Sequence, residues 1–167
     1  MVAIEESGIA FDFPAESVWQ PELTLHRLAK LSHVKVCDFV YLDRKRHKLF
    51  LIEVKSSAPK DVRKYVDAIT QKFEQTLLLA LALHHRRYSH EESPTFLLEQ
   101  PSVFGRDYAL LPVLIVRRTQ RSWLAPLQTA LQKTFRWTQK SFRLEDPVAV
   151  DVPMAYRKIH RSIHPLL

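Results

Sequence analysis

Val34-Lys35-Val36-Cys37-Asp38-Phe39-Val40-Tyr41-Leu42 and Leu49-Phe50-Leu51-Ile52-Glu53-Val54-Lys55 are two apolar runs rich in β-branched and aromatic residues. Such runs, bounded by polar segments, read as strands. Between them Asp43-Arg44-Lys45-Arg46-His47-Lys48 is polar and short enough to join antiparallel neighbours. With a four-residue loop from Arg44 to His47, Asp43 faces Lys48, and counting back along both strands sets Asp38 opposite Glu53.

Side chains alternate across a strand. One face of the hairpin therefore takes Val36, Asp38, Val40 and Leu42 with Leu49, Leu51, Glu53 and Lys55, and the other takes Cys37, Phe39 and Tyr41 with Phe50, Ile52 and Val54. Both faces are largely apolar, the pattern of a strand pair covered on both sides. Asp38, Glu53 and Lys55 are thus charges set in an oily surround, where such groups persist only when paired. Two carboxylates opposed at roughly 4.5 to 5.5 Å repel unless something neutralises them. A hard divalent cation does so, since Mg²⁺ takes one or two protein carboxylates and keeps waters, leaving room for phosphate oxygens and an attacking water. Lys55 is placed to hold or help deprotonate that water and to offset charge growing on phosphorus. The same three residues also suit an ion cluster with a purely structural role, Lys55 bridging the two acids.

Asp38 on one strand, the triplet Glu53-Val54-Lys55 on the next and a long helix after it resemble the PD-(D/E)xK nuclease superfamily. The resemblance spans about residues 8 to 118 and rests on the Asp and Glu-x-Lys elements; Cys37 stands where the superfamily often has Pro. It implies an α/β restriction-endonuclease-like core, a central mixed β-sheet flanked by helices in an αβββαβ-type order. It implies further that Asp38 and Glu53 bind Mg²⁺ or Mn²⁺, that the Val54 carbonyl adds a ligand, and that Lys55 is the catalytic lysine. Many members carry an acid on the first helix, for which Glu22 is the residue here; the alternative is that Glu22 merely favours a positive helix start.

Pro59 and Asp61 precede a segment from Val62 to about Tyr88 in which Val62, Tyr65, Val66, Ile69, Phe73, Thr76, Leu77 and Ala80 recur at helical spacing. Lys72 falls at the border of that stripe and Gln71 points away. Lys72 is thus the better candidate to face the site, although an exposed flank lysine is the plainer expectation. Gly8 to Pro14 reads as a short strand, Pro21 to Leu31 as a helix with Pro in its first position, Leu110 to Val116 as a strand whose Pro112 sets its start near an edge, and Ser122 to Phe135 as a helix. No periodicity is readable from Trp137 to Leu167, and His160 with His164 lacks further ligand-type neighbours for a metal site. The expected organisation is one domain over residues 1 to 167, with 119 to 167 a C-terminal extension packed on the core.

A net charge of +7 and the pI near 9.7 favour a polyanionic partner, because neutralised phosphates release counterions. Nucleic acid, and by the resemblance DNA, is the expected partner. Arg44, Lys45, Arg46 and Lys48, at roughly 15 Å from Asp38 along the strand at about 3.4 Å per residue, are candidate phosphate contacts, together with Lys60 and Arg63. Gly8 and Gly105 are the only glycines, which excludes a Walker-type loop or dinucleotide fingerprint. The single Cys37 excludes an internal disulfide framework and reads as a packing residue. The longest apolar run, Leu77 to Leu83, is far short of the roughly 20 residues that span a bilayer, and no basic-then-apolar leader opens the chain. A cytoplasmic protein without membrane attachment is expected, with selectivity supplied by self-association as a homodimer or by a larger protein complex. Beside the nuclease stand a catalytically inactive nucleic-acid-binding or assembly subunit of the same fold, and a protein-interaction scaffold.

Overall fold

The computed structural model describes residues 1–27, 33–59, 61–87, 94–99, 101–119, 121–159 and 163–165. Strands β1 (Val2–Glu6) and β2 (Ile9–Phe13) form a hairpin whose turn, Ser7 and Gly8, has positive φ at both positions, the backbone that a tight two-residue connection requires. Gly8 also leaves room for the Arg117 guanidinium, which would have to move aside for a Cβ there. Strand β3 (Val18–Trp19) leads through Pro21 into α1 (Pro21–Arg27). Then come β4 (Phe39–Asp43), β5 (Lys48–Ser57), α2 (Val62–His84), α3 (Thr95–Glu99), β6 (Ala109–Arg118), α4 (Arg121–Phe142), β7 (Val148–Val150), α5 (Val152–Lys158) and β8 (Ile163–Pro165).

The chain is α/β, built on a mixed five-stranded sheet in the order β3-β4-β5-β6-β7. Its β3-β4 and β4-β5 pairs are antiparallel, and β5-β6 and β6-β7 parallel. The β4-β5 register pairs Asp43 with Lys48, Leu42 with Leu49 and so on to Phe39 with Ile52, as the loop length and the alternation require. Helices α2 and α4 cover one face over Val40, Leu42, Leu49, Leu51, Leu114 and Val116. The other face lies beneath the second sheet, β1-β2-β8, and α5, with Phe11, Phe13, Phe39, Tyr41, Phe50 and Ile52 packed between. Burying both faces explains why β5 is apolar without a polar side. Helix α2 starts on Asp61, whose carboxylate accepts from the Lys64 N–H, a side-chain cap for an otherwise unmet donor.

Several expectations change. Residues 34–38 are not strand, and β4 begins only at Phe39. Freed from alternation, Cys37 lies with the α2 side of the core and not with Phe39 and Tyr41; its N–H donates to Thr76 Oγ1 at 2.8 Å. Helix α2 ends at His84, while Tyr88, Lys60, His160 and residues 28–31 of the first expected helix lie outside the described residues. The unread C-terminal stretch supplies β7, which pairs with β6, and β8, which pairs with β2; His164 sits in β8. Pro112 pairs with Leu51 on one side, whereas β7 reaches β6 only from Val113, so its missing N–H falls where the ladder is one-sided. Among the described residues, no helix is long and apolar enough to cross a membrane.

Candidate active site

Glu53 occupies the middle of the sheet, on the strand between β4 and β6 and on the face that α2 covers. It is 0% exposed. Its Oε1 takes two ammonium groups: Lys55 Nζ at 2.5 Å, from two residues along the same face, and Lys72 Nζ at 2.7 Å, from α2. Both lysines are partly open to solvent, with 34% and 25% of their side chains exposed. Glu53 Oε2 is buried and has no hydrogen-bond partner. An unmet carboxylate oxygen in the interior is costly, and a ligand reaching it would satisfy this group.

Asp38 stands one residue before β4 begins, just beyond the last β4–β5 pair, Phe39 with Ile52. Its Oδ2 accepts from the Val54 backbone N–H at 2.7 Å, taking the role of a strand carbonyl at the end of the ladder. Burial, then the Glu53 charge and to a lesser degree Glu6, raise its carboxyl to about 7 against the opposing Val54 N–H and Lys72 ammonium. At neutral pH the group therefore sits near the midpoint of its titration. For Lys72, burial disfavours the ammonium, yet the Glu53 charge and hydrogen bond, with Asp38 behind them, outweigh it and raise the lysine above its ordinary value. Burial, followed by Glu53, raises the phenol of Tyr65, whose hydroxyl is also buried and unpartnered.

Asp38, Glu53 and Lys55 are thus brought together. Lys72 joins them, contrary to the expectation of an exposed flank lysine, because its long side chain bends from the border of the helix stripe to the buried acid. Glu22 is exposed in the first turn of α1, and the charges that act on Asp38 are Glu53, Lys72 and Glu6. Of the hairpin cations, Arg44 donates to Ser17, Arg46 pairs with Asp43 and donates to the Lys158 and Ile159 carbonyls, and Lys48 pairs with Glu145. Lys45 and Arg63 are exposed, and Lys60 lies outside the described residues. Tyr65 and Glu6 were not anticipated at the site. Tyr65 was readable, since it lies seven residues before Lys72 on the same helix face; Glu6 was not, because the strand carrying it went unread.

The Asp38 and Glu53 carboxylates are oxygen donors of the kind hard cations take. Among the described residues, no group of three or more His, Cys, Asp or Glu gathers to hold a metal. The unpartnered Glu53 Oε2 beside Asp38 nevertheless fits a cation bound through two carboxylates with water completing its shell. Comparison of the chain with protein-family models, with curated proteins and with solved structures finds no match.

Proposed function

We propose that this α/β domain is a restriction-endonuclease-like core of PD-(D/E)xK type and acts as a metal-dependent nuclease on DNA. The observation that carries the reading is the fully buried Glu53 carboxylate, one oxygen held by two lysines and the other unmet, next to an Asp38 carboxyl poised near neutrality. Asp38 and Glu53 Oε2, with the Val54 carbonyl, would hold Mg²⁺ or Mn²⁺. Such an ion supplies Lewis acidity toward a phosphoryl oxygen and lowers the pKa of bound water. Lys72 fixes Glu53 through Oε1, and Oε2 is left for the ion. Lys55, the more solvent-open of the two lysines, orients the attacking water and offsets negative charge on the phosphorus oxygens. Val54 does double duty on this reading, its N–H fixing Asp38.

One observation favours a second reading, a catalytically inactive nucleic-acid-binding or assembly subunit. Two ammoniums already balance the charges of Glu53 and Asp38, so the cluster is tolerable without a cation. Incubation with supercoiled, linear and single-stranded DNA in Mg²⁺, Mn²⁺ or EDTA, beside Asp38→Ala and Lys55→Ala, separates the two. EDTA-sensitive cleavage lost in both variants is the expected result. Salt-dependent binding with no cleavage under any metal selects the inactive subunit.

A further inference from the structure

Helix α4 carries no acidic residue from Arg121 to Phe142. Its apolar side, Leu124, Leu127, Leu131 and Phe135, is buried against the core. At 100° per residue the opposite side brings Lys133, Arg136 and Lys140 into one stripe with Trp137 on its flank, and all four are exposed. Trp137 is 74% exposed, the most open aromatic of the described residues. Among the described residues no carboxylate pairs with Lys133, Arg136 or Lys140. Such a helix surface differs from the hairpin loop, whose cations are largely taken up by the protein itself.

An indole 74% exposed, with Lys133, Arg136 and Lys140 set around it at helical spacing, matches one kind of partner. Phosphates answer the cations, and the flat face of an unpaired base answers the indole by stacking. A duplex meets only half of this, since its bases are already stacked. A protein partner would call for a contiguous apolar patch at the centre of the surface, which a lone tryptophan among lysines is not. We infer that the Lys133-Arg136-Trp137-Lys140 stripe of α4 is a docking surface for single-stranded nucleic acid, Trp137 stacking a base and the three cations tracking the phosphates.

The stripe lies level with the candidate site. Phe135 packs on Phe73 with ring centroids 6.1 Å apart, and Thr138 donates to Glu74, so this stretch of α4 runs alongside the turn of α2 that carries Lys72, with Trp137 on its outer side. A strand held there is the substrate or product class that the proposed nuclease would handle, and to that extent the inference rests on the nucleic-acid reading. Binding at α4 itself requires no hydrolysis.

The test uses the full chain in EDTA with a short oligothymidylate, followed by anisotropy of a labelled strand and by tryptophan emission. Of the three tryptophans Trp19 is buried and Trp123 is 38% exposed, so strand binding should quench emission chiefly from Trp137. Trp137→Ala should weaken binding on the order of tenfold with the salt dependence unchanged, and Trp137→Phe should restore most of it. Lys133→Gln, Arg136→Gln and Lys140→Gln together should cut the slope of log affinity against log salt by about 2, at roughly 0.7 per phosphate contact. Unaltered affinity in both the alanine and the triple variant overturns the inference. Equal competition by an acidic peptide, or a duplex that binds as tightly and quenches as much, overturns it too. Wild-type cleavage in Mg²⁺ with binding untouched by the α4 variants sinks the surface and spares the nuclease. Strand binding through α4 with no cleavage in any metal does the reverse.

Discussion

Two aspartates flank the same short strand, and their surroundings have made them different acids. Asp43, at the end of β4, is 8% exposed, and burial alone would raise its carboxyl. Arg46 outweighs that, donating its backbone N–H to Oδ1 at 3.0 Å and its Nε to Oδ2 at 2.5 Å, and holds the group below the usual aspartate value. The remaining guanidinium nitrogens of Arg46 reach the carbonyls of Lys158 and Ile159, so this pair fastens the hairpin loop to the end of α5. Asp38, at the start, is half-buried but has a carboxylate for its neighbour, and its carboxyl is raised to about 7. In the Asp43 corner both carboxylate oxygens are answered by Arg46. In the Asp38 corner, Glu53 Oε2 and the Tyr65 hydroxyl are not answered. Among the described residues the third buried side-chain oxygen without a partner is Thr70 Oγ1 on α2, and unmet polar atoms beside a raised carboxyl are a pattern that ligand sites share.

The largest effect expected from this contrast is on cleavage. Asp38→Ala should lower the metal-dependent rate on the order of a thousandfold or more and leave stability near wild type. Asp43→Ala should do the opposite, keeping the rate within the same order of magnitude and losing about 1 to 3 kcal/mol of unfolding free energy as two hydrogen bonds to Arg46 go. Rates on a supercoiled plasmid and urea midpoints, measured on both variants, check it. A common fate for the two substitutions would mean that both acids serve only the fold.

The hairpin register from Phe39 to Lys48 and the covered sheet were legible in the sequence because each follows from a short-range rule, whereas the expected Asp38–Glu53 pair falls just beyond the ladder. A four-residue loop sets the pairing, and alternation then sets the faces. What sequence could not supply was anything held by distant partners. Residues 34–38 read as strand on composition, yet Cys37 is held by a hydroxyl on α2, 39 residues away. The place of Lys72 depended on whether a buried acid lay within reach of a border lysine, which helical spacing alone does not decide. Strand β1 escaped notice because its burial is slight and alternating, and β7 because three residues carry too little pattern.

Acid and base titration should separate the same two residues by sign. The raised carboxyl of Asp38 makes a contribution to stability that is present below the unfolded carboxyl value of about 4 and is lost as pH rises through about 7. Asp43, lowered, contributes above the unfolded value and loses that contribution as pH falls through its own. Thus Asp38→Asn should gain stability over wild type progressively between about pH 4 and 7, while the deficit of Asp43→Asn should shrink only in acid. Mg²⁺ should bind more tightly as pH rises through about 7, since the ligand must give up its proton. Urea unfolding across that range, with and without Mg²⁺, measures all three. A pH-independent difference between Asp38→Asn and wild type would remove the basis for calling its carboxyl poised.

The smallest effect belongs to the hydrogen bond that sets Asp38 in place. Because residues 33–38 form no ladder, the chain entering β4 relies on contacts from α2, among them the buried bond from the Cys37 N–H to Thr76 Oγ1. Thr76→Val keeps the volume and deletes the acceptor, leaving a buried N–H unmet at about 1 kcal/mol or somewhat more. Thr129, whose hydroxyl returns to the Ala125 carbonyl on the exposed side of α4, is the matched control, and Thr129→Val should stay within about 0.5 kcal/mol of wild type. Since Cys37 directly precedes Asp38, the Thr76 change should also loosen the carboxylate's approach to the Val54 N–H and lower cleavage by less than tenfold. Thr76→Ser, which restores the oxygen but not the methyl, should recover the rate before it recovers the stability. If the serine variant instead regains stability while cleavage stays low, the bond to Cys37 supports the core and does not position Asp38.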